Sequence, residues 1–249
     1  MTLQRFKLTI EYDGTAFAGW QRQENAPSVQ QAVEEALAKF MPAFQAESLQ
    51  VAGRTDAGVH ALGQVAHVDL PENVTETTVR RALNFYLDQF SISIIKAEKV
   101  GPEFHARFSA KKRTYLYRIV NRPDKLALDC MRAWHVPFAL DIEKMQQGAL
   151  ALLGCHDFSA FRTVHCQAKN PVRTLEKLEV RKIGDQIEFY VEAPSFLHHQ
   201  VRNMVGTLVD VGRGKYAPLY VKKILESKDR ALAGPTAPAH ALYFIKVDY

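Results

Sequence analysis

The sequence predicts an α+β fold. Two ferredoxin-like (split βαβ) halves join into one mainly antiparallel sheet with helices on one face. Three observations predict it. Short segments alternate apolar and polar residues at the period of half-buried strands. Longer segments repeat apolar residues at helical spacing behind capping residues. The order strand, helix, two strands, helix, strand occurs twice within the 249 residues, a length that suits two units of roughly 100–150 residues.

The elements follow in order. Phe6–Tyr12 alternates, and Asp13-Gly14 ends that strand. Ser28 followed by Gln31 is a capping-box pattern. Val29, Ala32, Val33, Ala36, Leu37 and Phe40 then form a helical stripe that Pro42 stops. Gln64–Leu70 reads as a strand; the other middle strand of this half has no clear position between 43 and 70. Thr77–Leu87 reads as a helix and Ser91–Ile95 begins a strand. Val100-Gly-Pro-Glu103 is a Gly/Pro break, so the halves are expected at 1–105 and 106–249. In the second half Arg113–Val120 is a strand, Asp141 caps a helix closed by Gly154, and Leu175–Lys182 with Gln186–Ala193 makes a hairpin around Gly184-Asp185. Leu197 to Gly212, with His198 and His199, reads as a helix, Pro218–Leu225 as a shorter one, and Ala241–Val247 as the closing strand. The Ala/Pro-rich stretch Ala231–Ala239 reads as a surface loop.

Composition narrows the function. Hydrophobic residues make 47% and charged residues 24% of the chain, as in ordinary globular proteins. No apolar run reaches the ~18–20 residues of a membrane helix, so no membrane partner is expected. Residues 1–7 lack the apolar core of a signal peptide. Cys130, Cys155 and Cys166 make no disulfide framework, and the expectation is the reduced cytoplasm. The net charge of +5 is unevenly spread. Residues 1–105 hold nine basic and thirteen acidic residues, net −4; residues 106–249 hold twenty-three and fourteen, net +9. Arg107, Lys111, Lys112, Arg113 and Arg118 interleave with Phe108, Tyr115 and Tyr117. Cations for phosphates beside flat rings for bases suit single-stranded RNA.

The most chemical stretch is Val51-Ala-Gly-Arg-Thr-Asp-Ala-Gly-Val-His-Ala61. It sets Asp56 in a tight turn between Gly53 and Gly58, where the chain can bend on both sides. Arg54 nearby favours the ionised carboxylate, the nucleophilic form. Taken alone, Asp between glycines is also an ordinary loop. Cys155-His156 and His165-Cys166 lack the spacing of a zinc site, and no metal is expected. No Walker or Rossmann glycine loop occurs.

Longer blocks carry a resemblance. Gly53–His60, Phe104-His-Ala-Arg-Phe-Ser-Ala110 with Arg113-Thr-Tyr115, and Phe196-Leu-His-His-Gln-Val-Arg-Asn-Met-Val-Gly206 resemble the bacterial tRNA pseudouridine synthase A (TruA) family. Gly19-Trp-Gln-Arg-Gln23 and the helix start at Pro27–Gln30 fit the same pattern, so the resemblance covers essentially the whole chain. It implies isomerisation of uridine to pseudouridine at positions 38, 39 and 40 of the tRNA anticodon stem-loop. It implies Asp56 as nucleophile, Tyr115 against the target base, Arg202 paired with the Asp, and Arg54 in a catalytic cleft between the halves. It also implies a homodimer whose tRNA spans both subunits, with no metal or organic cofactor.

The residue types suit that chemistry. Substrate and product are isomers, so no redox cofactor is consumed. A desolvated Asp keeps its charge only beside a permanent cation, which Arg supplies. The carboxylate can add to C6 of the uracil or act at C1′ of the ribose, and the sequence leaves both open. Tyr115 offers a stacking face and a hydroxyl within reach of the C5 proton. By position alone, a strand Tyr faces a core and a helix Arg faces solvent. Arg54 serves equally as a phosphate clamp or turn donor. Lys111, Lys112 and Arg113 are expected to grip RNA. Competing readings are a pseudouridine synthase for other RNA positions, a non-catalytic RNA-binding module, and an Asp-nucleophile hydrolase of small molecules.

Overall fold

A computed structural model describes residues 2–42 and 49–249. The structure is α+β, with mainly antiparallel strand pairing. The chain divides into two compact units, residues 1–111 with 243–249, and residues 112–242. The expected break at 105/106 therefore lies at 111/112. The closing strand, expected with the second half, joins the first.

The first unit holds β1 (Leu3–Tyr12), α1 (Val29–Phe40), β2 (Gln50–Val51), β3 (His60–Pro71), α2 (Glu76–Leu87) and β4 (Ile92–Val100). The order is the expected one, and the strand that the sequence left unplaced is the two-residue β2 on β3. β1 lies between β4 and β3, antiparallel to both. Phe6, Leu8 and Ile10 alternate along β1 and are fully buried, as are Val29, Val33 and Leu37 of α1 and Val79, Leu83 and Leu87 of α2. Spacing by four puts each helical triplet on one stripe, so burial of these stripes holds the helices. Ser28 Oγ accepts from Gln31 N at 3.2 Å, while the Gln31 side chain turns to Glu35 at 2.9 Å, so half of the capping box forms. β3 begins at His60, four residues earlier than the alternation suggested, because His60 and Ala61 pair in parallel with Tyr243 and Phe244 of the closing strand.

The opposite sheet face is also covered. Ala52, Val65 and Ala106 pack with Phe104, Val247 and Tyr249. Arg5 clamps this side. It donates to both oxygens of Asp69 at 2.8 Å and to the carbonyls of Pro102 and Phe104 at 2.6 and 2.9 Å. His67 Nδ1 accepts from Ala106 N at 3.0 Å. Burial, then the charges of Arg5 and His105, push the His67 pKa down to about 4.

The second unit holds β5 (Lys112–Asn121), β6 (Trp134–Val136), α3 (Ile142–Leu150), β7 (Gly154–Asp157), β8 (Val172–Leu175), β9 (Lys177–Ile183), β10 (Gln186–Ala193), α4 (Gln200–Gly212) and α5 (Leu219–Ser227). β5, β10 and β9 pair antiparallel in that order, and the β9–β10 turn uses Gly184 at φ +58°. β6 and the small β7–β8 sheet were not legible, being three or four residues each. Tyr117 and Ile119 face Phe189 and Ile187 across the strands, all fully buried. β11 (Leu242–Asp248) returns to the first unit beside β3. Among the described residues no helix is long and apolar enough to cross a membrane.

Candidate active site

The Asp56 loop joins β2 to β3 and has no regular structure, so its peptide groups need partners elsewhere. They find them. Ala52 N donates to Val65 O at 2.8 Å, and Gln64 Nε2 to Gly53 O at 2.8 Å. Trp20 N donates to Thr55 O at 3.1 Å, Gly58 N to Phe17 O at 3.2 Å, and Val59 N to Asp56 O at 3.1 Å. Thr55 is buried and its hydroxyl meets Tyr12 OH at 2.7 Å. Burial, only partly offset by bonds to Thr55 and Gln64, pushes the Tyr12 hydroxyl up to about 12, so it stays protonated. Between these anchors Asp56 is half-buried and Arg54 is exposed.

The glycines act differently from the expectation. Gly58 takes φ +77°, the left-handed conformation foreseen for one side of Asp56. Gly53 is not left-handed. The loop owes its other constraint to glycines outside the motif. A Cβ on Gly14 would run into the Val59 carbonyl, and one on Gly19, at φ +95°, would lie 2.5 Å from Thr55 O. The β1 end and the Gly19-Trp20 segment therefore press directly on the loop backbone. His60 follows, buried, with Nδ1 accepting from Gly14 N at 3.0 Å and its ring stacked on Tyr243 at 4.8 Å. Tyr12, Gly14, Gly19 and Gln64 are thus loop-placing residues that sequence reasoning missed. Gly19 opens a recognisable block and the other three stand near one, but none was given a role in placing the loop.

In the second unit Tyr115 opens the row that Tyr117 and Ile119 continue. It is 9% exposed, and its ring meets Phe196 edge-on at 5.1 Å. The core-facing reading holds for the row, and Tyr115 is its end member. Arg202 keeps partial exposure, as a helix Arg is expected to, but the rest of its helix does not. α4 is buried along its length, and Arg202 alone among its residues is not. Arg202 Nε donates to Ala237 O at 2.8 Å, and Ala237 N returns a bond to Arg202 O at 3.2 Å. Its charge also favours the ionised form of the Tyr117 hydroxyl, although burial dominates and raises that group well above its usual range.

The stretch 231–239 lies on the surface as expected, with Ala231, Leu232 and Pro235 exposed, but it is pinned at two points. Gly234 and Ala237 are buried against α4. Gly234 N donates to Thr207 Oγ1 at 2.9 Å, Thr236 Oγ1 to Asn203 Oδ1 at 2.7 Å, and Arg230 Nη2 to Asn203 Oδ1 at 3.1 Å. A Cβ on Gly206 would collide with the Pro235 carbonyl. The loop bonds to the buried polar residues Asn203 and Thr207, one turn apart on α4, which its own composition cannot reveal. His198 and His199 precede α4 instead of lying on it; His199 takes φ +63° and caps its start.

The expected RNA grip divides. Lys111 is exposed, with its backbone N bonded to Asp248 O at 2.8 Å. Lys112 lies 2.9 Å from Glu192 and 4.0 Å from Glu176, so its charge is already met by carboxylates. An Arg113 Nη donates to the Pro194 carbonyl. Arg107 lies over Phe108 at 5.6 Å.

The model of the tRNA pseudouridine synthase family matches residues 8–109 and 149–249, spanning the Asp56 loop and α4. A protein of Paramagnetospirillum magneticum named tRNA pseudouridine synthase A is 55% identical over 249 residues, 99% of this chain and 96% of the relative. Proteins of the same name from Ehrlichia canis and Rhodospirillum centenum are each 52% identical, over 98% and 99% of this chain and 100% of either relative. The chain belongs to the tRNA pseudouridine synthase family.

Proposed function

We propose that the protein isomerises uridine to pseudouridine in tRNA, at positions 38, 39 and 40 of the anticodon stem-loop, with Asp56 as nucleophile. The observation that carries this reading is the Asp56 loop. Its backbone is bonded on both sides of the Asp, so the position from which the carboxylate projects is fixed before substrate arrives. Membership of a tRNA pseudouridine synthase family, whose model spans this loop, supports that chemistry.

In the reaction the N1–C1′ bond breaks, the base turns, and a C5–C1′ bond forms. C5 loses a proton and N1 gains one, so atoms and electrons balance without a co-reactant. Asp56 adds to C6 or acts at C1′. Arg202, a permanent cation anchored through Nε, is assigned to keep the carboxylate ionised. Tyr115, held edge-on by Phe196, is assigned to lie against the uracil and receive the C5 proton. Arg54 and Lys111, both exposed, are assigned to phosphates. Lys112 is a weaker candidate for that role, since RNA would have to displace Glu192. The first unit is thus assigned the nucleophile and both exposed cations, and the second unit the base-facing ring and the counter-charge. The working unit is a cytoplasmic homodimer with tRNA spanning both subunits, using no metal or organic cofactor.

The test is to incubate the protein with unmodified tRNA and map pseudouridine in the anticodon arm. Conversion at positions 38–40 that disappears in Asp56→Ala, with tRNA binding retained, supports the reading. Conversion that persists in Asp56→Ala removes the nucleophile assignment. Binding with no conversion by the unaltered protein leaves an RNA-binding module instead.

A further inference from the structure

The C-terminal end of α4 and the start of α5 carry a second basic and aromatic surface that the reaction does not use. Residues 213–223 contain Arg213, Lys215, Lys222 and Lys223 and no acid. Tyr216 and Tyr220 stack there with ring centroids 4.5 Å apart and planes at 25°. Lys215 Nζ lies 4.8 Å from the Tyr216 ring centre. Arg213 lies 5.2 Å from the ring centre of Phe138, itself 41% exposed. Gly214, at φ +80°, makes the turn that sets these groups side by side. On α5 the buried stripe is Val221, Ile224 and Leu225, which leaves Tyr220 and Lys223, one turn apart, on the outward side.

Part of this has a structural explanation. Lys215 Nζ lies 2.8 Å from Oδ2 of buried Asp210, and Arg213 3.7 Å from its Oδ1. Cations also suit a helix C-terminus. Lys222 Nζ lies 3.8 Å from Glu226, so this carboxylate and buried Asp210 offset two of the four charges. They account neither for exposed Lys223 nor for a stacked tyrosine pair beside it.

Arg213 is eleven residues beyond Arg202 along the same helix, about 16 Å at 1.5 Å per residue. A groove around Arg202 and a surface around Tyr216 are therefore separate stations on one rigid element. We infer that the surface formed by Arg213, Lys215, Tyr216, Tyr220 and Lys223 binds the phosphate backbone of tRNA outside the anticodon arm. This inference rests on the tRNA reading above. Charge complementarity selects the occupant: four cations against two flanking carboxylates leave a net positive surface that matches phosphates, and the tyrosines add ring faces for an unpaired base.

The experiment compares two RNAs, full-length unmodified tRNA and the isolated anticodon stem-loop, with the full chain and the double variant Arg213→Glu/Lys223→Glu. Both substituted side chains are exposed, and thermal denaturation checks the fold. The expected result is about tenfold weaker binding of full-length tRNA near 0.1 M salt. The slope of log K against log salt should shrink by about 2, one for each lost phosphate contact. Binding and conversion of the stem-loop should not change. Tyr216→Ala/Tyr220→Ala, which keeps the charges, should weaken full-length binding without altering the slope. Unchanged affinity of the charge variant for full-length tRNA overturns the inference. So does an equal loss on both RNAs, which would place the surface at the reacting arm. Conversion of the stem-loop by the unaltered protein tests the proposed function separately.

Discussion

The Asp56 loop and α4 are both immobilised, and by opposite physics. The loop has no internal hydrogen-bond ladder, so its peptides are satisfied by Trp20, Phe17, Val65 and the buried side chain of Gln64. The helix satisfies its own backbone, so it is placed by close packing instead. Gly206 abuts Pro235, Gly212 abuts Met145, and Asn203 and Thr207 bond the 231–239 segment. One site residue depends on hydrogen bonds made by its neighbours. The other depends on side chains its neighbours lack. The two should therefore fail in different ways when altered.

The largest expected effect separates chemistry from placement. Asp56→Asn keeps the loop's size and backbone bonds but removes the nucleophile, and pseudouridine formation should fall by at least ~10³-fold. Single-turnover assays at saturating tRNA, with an unchanged melting curve, check this. A matching drop in melting temperature would make Asp56 a structural residue as well.

Gly206→Ala attacks the packing side. Its Cβ would meet a backbone carbonyl that cannot swing away, so a stability loss of about 3 kcal/mol is expected, with the helix and loop displaced together. Denaturant unfolding measures it. A neutral result would show that the 231–239 segment yields easily, and the contrast with the Asp56 loop would weaken.

Acid tests a third attachment, the 101–110 turn held by Arg5 and His67. His67 has a folded pKa of about 4, below its ordinary value near 6.5. The unfolded chain therefore binds the extra proton first as pH falls. Stability should rise with pH between about 4 and 6.5 and be lost on acidification through that window, by at most about 3 kcal/mol. His67→Asn, which retains an acceptor for Ala106 N, should flatten that slope.

The smallest effect concerns the loop's own hydrogen bonds. Thr55→Val removes the partner of buried Tyr12 OH, which retains Gln64, so a loss of about 1 kcal/mol is expected. Activity should fall more than stability if the loop's position matters to the reaction.

Much of the fold was legible because its signals are local. The stripes Val29-Val33-Leu37 and Val79-Leu83-Leu87, the Ser28 and Asp141 caps and the β9–β10 hairpin each depend on residues a few positions apart. The motif residues Asp56, Tyr115 and Arg202 were legible as types in long recognisable blocks. Their environments were not. Position alone suggests only that a helix Arg faces solvent, and spacing cannot show that every other residue of its helix is buried. The stretch 231–239 read as a surface loop from its composition, while its pinning at Gly234 and Ala237 depends on the close approach of Pro235 to Gly206, distant in the chain.

What the sequence alone determined is the order of elements, the uneven charge and the chemical groups available, since these follow from nearest neighbours and from side-chain identity. The tertiary structure decided which groups are held and by what. It assigned the closing strand to β3, placed Gly14 and Gly19 against the Asp56 loop, and left Arg202 as the one partly exposed residue of a buried helix. Those outcomes arise from contacts between residues far apart in the chain, where close packing and the need to satisfy every buried peptide group outweigh local preference.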